Sequence, residues 1–150
     1  MLNRILVLCT GNICRSPMAE ALLRARLAAS RPSLTVSSAG LAALEGRPAD
    51  PLAVALLAER GLDLTPHRAR QLTPELVTAA DLILVMEAAQ QRHLELRAPS
   101  ARGRIHRLGR FGDFDVPDPY RQGRRQFERA LAMIERGLDG FERTFWAGAA

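Results

Sequence analysis

The chain has 150 residues, 47% apolar and 25% charged, which suits one domain over residues 1–150 and excludes a disordered or fibrous protein. Two cysteines and three histidines rule out a disulfide scaffold and make a poor zinc site. The formal charge of +5 rests on 21 arginines with no lysine; these are mixed with acids, as in "RQGRRQFERALAMIERG", so no nucleic-acid surface is expected.

In chain order, the first expected element is a strand over 4–8. Its apolar run from Ile5 to Leu8 is far below the roughly 18 residues that cross a bilayer. It is also too short for a signal-peptide core, so the chain reads as cytoplasmic with no membrane insertion. A helix follows over 17–29, with Pro17 as its first residue, and then a strand over 34–38. "ADP" opens a helix over 50–60, with Asp50 as cap and proline just inside. Gly61 follows it, where a left-handed residue belongs. "LTPE" opens a helix over 74–79 in the same way. A strand over 81–86, a helix over 88–96 and a strand over 104–108 come next. The last helix, over 122–145, carries Phe127, Leu131, Ile134, Leu138, Phe141 and Phe145 at spacings of four and three, a stripe expected to face the core. The tail "AGAA" is expected to fray. No internal repeat or linker interrupts the series, and strands alternating with helices argue for a parallel sheet covered on both faces.

The chemistry concentrates in "CTGNICRSP", residues 9–17, between the first strand and the first helix. Strand, tight loop, helix is the geometry that holds an anion at a helix N-terminus on the carboxyl edge of a sheet. The loop has neither the Lys-Ser/Thr ending of an ATP loop nor the glycine spacing of a dinucleotide site. Instead five residues separate Cys9 from Arg15, enough to curl so that the N–H groups of Thr10, Gly11, Asn12, Ile13, Cys14 and Arg15 surround a phosphate. Gly11 is expected to supply a positive φ. Arg15 can clamp two phosphate oxygens. In that field Cys9 is expected as a thiolate with Ser16 donating to its sulfur, placed for in-line attack on phosphorus. A cysteine after a strand is ordinarily a small buried hydrophobe, and only the joint pattern with Gly11, Ser16 and Pro17 lifts it above that.

Such a nucleophile needs an acid for the departing oxygen. "GDFDVPDPYRQG" offers Asp113, Asp115 and Asp118 after the fourth strand. Asp-Pro is also a common turn pair, and local sequence leaves the three carboxylates open.

Together these stretches resemble the low-molecular-weight protein tyrosine phosphatase family across nearly the whole chain. "CTGNICRSP" is similar to that family's phosphate loop, "SSAGL" to its second strand, "HRARQL" to its mid-chain motif, "DLILVM" to its third strand and "VPDPYR" to its acid loop. The resemblance implies Cys9 as nucleophile, Arg15 as phosphate clamp and Asp118 as the acid, then as base for the hydrolytic water. It implies that Asn12, Ser16, Ser38 and His67 hold the loop in shape. It implies no metal or cofactor, and a four-stranded parallel sheet in order 2-1-3-4 flanked by helices on both faces, with the phosphate loop after strand 1. Ile13, Leu44 and Tyr120 would form the substrate slot, deep enough that a phosphoserine falls short of Cys9. "SAGLAALEGRPADP" and "VPDPYRQ" resemble the bacterial branch paired with tyrosine autokinases of exopolysaccharide export, which makes such a kinase the expected partner.

Three rivals share features of this pattern. Protein-arginine phosphatases resemble the chain in the same loop but usually carry Thr where Ile13 stands and Phe after the Asp-Pro. Thioredoxin-coupled arsenate reductases need a further mid-chain cysteine pair, whereas this chain has none beyond Cys14. A phosphopeptide-binding module without catalysis is disfavoured by the presence of nucleophile, clamp and acid together. Cys14 itself is expected to pair reversibly with Cys9 and protect it from over-oxidation.

Overall fold

The computed structural model describes residues 2–146; the tail read above as frayed, 147–150, lies outside the described residues. Four strands form one sheet: β1 (Arg4–Cys9), β2 (Thr35–Gly40), β3 (Leu82–Val85) and β4 (Ile105–Arg107). All pairings are parallel and the order is β2-β1-β3-β4, as expected. Five helices surround it: α1 (Arg15–Leu27), α2 (Pro51–Ala58), α3 (Pro74–Ala79), α4 (Ala88–Arg97) and α5 (Arg124–Phe141).

β1 is central because it is apolar on both faces. Ile5, Val7 and Cys9 join the core under α1, α2 and α5, while Leu6 and Leu8 join the core under α3 and α4. Each fully buried Leu or Ile contributes about 1.5–3 kcal/mol, so a run buried on both sides belongs inside the sheet rather than at its edge. With β2 on one side and β3 on the other, β1 ends at the point where the chain's winding reverses, and the crevice beyond its carboxyl end is where such sheets bind ligands.

The capping signals act as expected. Asp50 accepts from Leu52 N–H (2.9 Å) and Thr73 from Leu76 N–H (3.3 Å), and Gly61 is left-handed at φ 75°. Several boundaries shift by one or two residues, and two of the departures have clear physical reasons. α1 begins at Arg15 rather than Pro17; the first turn of a helix has free N–H groups anyway, so proline is tolerated two residues in, and Arg15 and Ser16 become helical. The last helix ends at Phe141 and passes into a π turn, Glu142–Trp146. The wider turn swings Phe145 out of the stripe: Phe127, Leu131, Ile134, Leu138 and Phe141 are fully buried, whereas Phe145 is 39% exposed and stacks on Phe141 at 5.6 Å.

Candidate active site

The loop after β1 turns its carbonyls outward, where the surrounding chain takes them up. Cys9 O accepts from Leu41 N–H (2.9 Å), Thr10 O from Ala42 (2.9 Å), Gly11 O from Leu44 (3.1 Å) and Ile13 O from Asp50 (2.8 Å). The Asn12 carbonyl accepts from His67 Nε2 (2.7 Å), which fixes that ring nitrogen as the protonated one. Among the described residues, none accepts a hydrogen bond from the N–H groups of residues 11–15. A curl of backbone N–H donors at the start of a 13-residue helix is an anion cradle, reinforced by the helix dipole.

Asn12 makes the curl. The positive φ expected of Gly11 falls on Asn12 instead, at φ 60°, a region that asparagine tolerates better than most side chains. Its fully buried amide is held at both ends. Oδ1 accepts from Arg70 N–H (2.9 Å), so Nδ2 must be the end that donates to Ser16 Oγ (2.8 Å) and Ser38 Oγ (3.0 Å). Ser38 in turn donates to Glu20 Oε1 (2.5 Å). With its oxygen already accepting, the Ser16 O–H is left to point at Cys9 Sγ, 2.9 Å away. Gly11 lines the slot, and a Cβ there would make only ordinary contacts with Leu44 Cδ1 at 3.7 Å and Ile13 Cγ1 at 3.9 Å. Gly40 is needed where β2 meets the loop, since a Cβ would come within 2.7 Å of Thr10 O.

Arg15 is 1% exposed and divided between two tasks. Nη1 donates to the Glu87 carboxylate and to Val116 O (2.9 Å). On the other edge, Nη2 lies 3.6 Å from Asp118 Oδ2 and the buried Nε has no partner. Leaving a buried guanidinium N–H unpaired costs about 1–3 kcal/mol, which an anion bound in this pocket would recover.

The cavity above the cradle has a volume of about 140 Å³ and is lined by Cys9, Thr10, Gly11, Ile13, Cys14, Arg15, Ala42, Leu44, Asp118 and Tyr120. Cys9 is 2% exposed, while Leu44 and Tyr120 are half-buried and Asp118 is exposed, so polarity and burial grade from floor to rim. Of the three candidate carboxylates only Asp118 lines it. Asp113 and Asp115 are tied to Arg107 (2.6 and 3.0 Å), and Asp115 also accepts from Ala88 N–H (3.0 Å). Asp118 Oδ1 accepts from Tyr120 N–H (3.1 Å). Burial first, with Asp50 next, pushes the Cys14 thiol far up, so it stays protonated in this cavity.

Every expected site residue is thus at the cavity or in the network behind it. The sequence reading overlooked Glu87, Glu20, Arg70 and Gln90. Glu87 braces Arg15, and Gln90 donates to Thr10 Oγ1 (3.3 Å) while accepting from Met86 and Glu87 N–H (2.9 and 3.1 Å). Glu87 carries one legible signal, its position: it stands just past the carboxyl end of β3, where ligand-side residues of parallel sheets gather.

A sequence profile described as "Low molecular weight phosphotyrosine protein phosphatase" matches residues 4–146. The chain is 55% identical over 141 residues, 94% of each chain, to "Probable low molecular weight protein-tyrosine-phosphatase EpsP" of Ralstonia solanacearum. Its backbone is similar to that of "Vibrio vulnificus Wzb in complex with benzylphosphonate", with TM-score 0.89 and 41% identity over 97% of this chain and 100% of the other. It also resembles "YwlE arginine phosphatase from Geobacillus stearothermophilus", with TM-score 0.85 and 35% identity over 94% and 91% of the two chains. An anion cradle with a cysteine at its floor, set in a sheet of this order and matched from Arg4 to Trp146, has one consistent assignment: the chain belongs to the low-molecular-weight phosphotyrosine protein phosphatase family.

Proposed function

We propose that the chain is a protein tyrosine phosphatase that hydrolyses phosphotyrosine through a cysteinyl-phosphate on Cys9. The observation that carries this reading is the pairing of an unpartnered, buried Arg15 Nε with a curl of free N–H groups at the cavity that Cys9 lines. The cradle and the open edge of Arg15 bind the non-bridging oxygens, and the Ser16 O–H aimed at Cys9 Sγ stabilises negative charge there. The sulfur attacks phosphorus in line; the S–P bond forms as the bond to the tyrosine oxygen breaks, and Asp118 gives its proton to that oxygen. Asp118 then takes a proton from the incoming water, whose oxygen joins phosphorus as the S–P bond breaks. This releases inorganic phosphate and restores the sulfur anion.

Ile13, Leu44 and Tyr120 form apolar walls suited to an aryl ring, whereas a phosphoarginine would bring a polar guanidinium against them. The test is a comparison of initial rates on matched phosphotyrosine and phosphoarginine peptides, with at least a tenfold preference for phosphotyrosine expected. Preference for phosphoarginine would keep the fold and the nucleophile but overturn the substrate. The partner that fits the branch resemblance is a bacterial tyrosine autokinase of exopolysaccharide export, acting where both proteins meet in the cytoplasm.

Cys14 acts as a resolving thiol in this reading. Peroxide converts the Cys9 sulfur to a sulfenic acid; Cys14, a protonated thiol at rest, passes its proton to the departing hydroxyl as its sulfur attacks, water leaves, and the disulfide shields Cys9 from further oxidation. Cys14→Ser is therefore expected to lose most of the thiol-reversible recovery after peroxide treatment. Recovery equal to that of the parent would exclude this role.

A further inference from the structure

Arg121 sits in an unusual place for its residue type. Gln122 N–H donates to Pro119 O (3.0 Å), closing a four-residue turn with Tyr120 and Arg121 at its centre. Arg121 occupies the third position at φ 64°, where turns of this shape ordinarily place Gly or Asn and where a long L side chain is disfavoured. Two residues on, Gly123 meets the next positive φ, 89°, with glycine. The arginine is therefore kept at a position whose backbone does not favour it.

The side chain indicates why. Its guanidinium carbon lies 5.1 Å from the centroid of the Tyr120 ring, a cation–π contact. Tyr120 lines the cavity and Arg121 does not; Arg121 is exposed, so its charge rests on the solvent side of that wall. Arg107 and Arg124 are each paired with carboxylates, whereas among the described residues no carboxylate pairs with Arg121. An unpaired cation thus stands at the rim, on the same turn as the residue that packs the substrate ring.

We propose that Arg121 is a specificity residue: it steadies Tyr120 as a wall of the slot and offers its charge to an acidic side chain flanking the substrate's phosphotyrosine. This rests on the phosphotyrosine reading above and adds to it the class of sequence preferred around the scissile group. A rim charge of this kind acts on encounter and binding more than on the chemical step, so its effect belongs in KM.

The test is the ratio of kcat/KM for two phosphotyrosine peptides that differ only in carrying Glu or Gln on both sides of the phosphotyrosine. The parent is expected to favour the Glu peptide by about threefold at low salt, the range of an exposed ion pair, with the preference shrinking as salt rises. Arg121→Gly suits the left-handed backbone and is expected to bring the ratio to about one, while Arg121→Lys keeps most of it and Arg121→Glu inverts it. The ratio is internal to each variant, so a general loss of activity does not imitate the effect. A parent without Glu preference, or a ratio unchanged in Arg121→Gly and Arg121→Glu, would overturn the proposal. Failure of the parent to hydrolyse either peptide would overturn the phosphatase reading, and this inference with it.

Discussion

Cys9→Ser is expected to lower the rate on phosphotyrosine peptides by about 10⁴-fold or more, while leaving peptide binding intact. The two effects separate because different atoms carry them. The cradle N–H groups and the open edge of Arg15 belong to the backbone and to a side chain held by Glu87 and Val116, neither of which depends on the sulfur. A serine oxygen is too weak a nucleophile in the absence of a base, and the hydroxyl that touches residue 9, Ser16 Oγ, is itself a donor to that position. Initial rates with parallel calorimetric titration of the phosphopeptide check this. A variant retaining more than about a hundredth of the parent rate would show that Cys9 is not the nucleophile.

Much of this site is legible in the residues because it is local. Cys9, Arg15 and Pro17 fall within nine residues of chain, and the apolar run before them with the helix start at Pro17 indicates strand, loop and helix in that order. The same is true of Asp50 and Thr73, whose capping needs only their own next residues. What escaped is long-range or depends on side-chain fit. Glu87 stands 72 residues from Arg15, and Arg70 stands 58 from the Asn12 amide that it orients; no periodicity joins such pairs. Gly11 and Asn12 are adjacent and either tolerates a left-handed backbone, so assigning the curl required knowing that the asparagine amide finds three partners. Phe145 fits the stripe of α5 by spacing, but spacing does not register the extra residue that a π turn inserts.

Asp118→Asn is expected to reduce turnover of phosphotyrosine by about 10²–10³-fold, within the range for loss of a positioned general acid. The asparagine retains an oxygen to accept from Tyr120 N–H, as Asp118 Oδ1 does at 3.1 Å, so the turn that forms the slot wall is preserved and the missing proton is the main change. The reduction should depend on the leaving group. Tyrosine departs as a phenol of pKa about 10 and needs that proton, whereas a nitrophenolate leaves with little help, so p-nitrophenyl phosphate hydrolysis should fall by at least about tenfold less. Asp113→Asn and Asp115→Asn provide the contrast. Their carboxylates are bound to Arg107 and do not line the cavity, so either change should stay within about threefold of the parent, the scale of an exposed ion pair. Because Asp118 also serves the later hydrolysis of the cysteinyl-phosphate, which both substrates share, the comparison is read in kcat/KM, which reports the step that forms that intermediate; equal losses there in Asp118→Asn would point to a positional rather than a proton-donating role. A larger loss in Asp113→Asn or Asp115→Asn would move the acid to that residue, which requires the 113–118 segment to refold over the cavity when substrate binds.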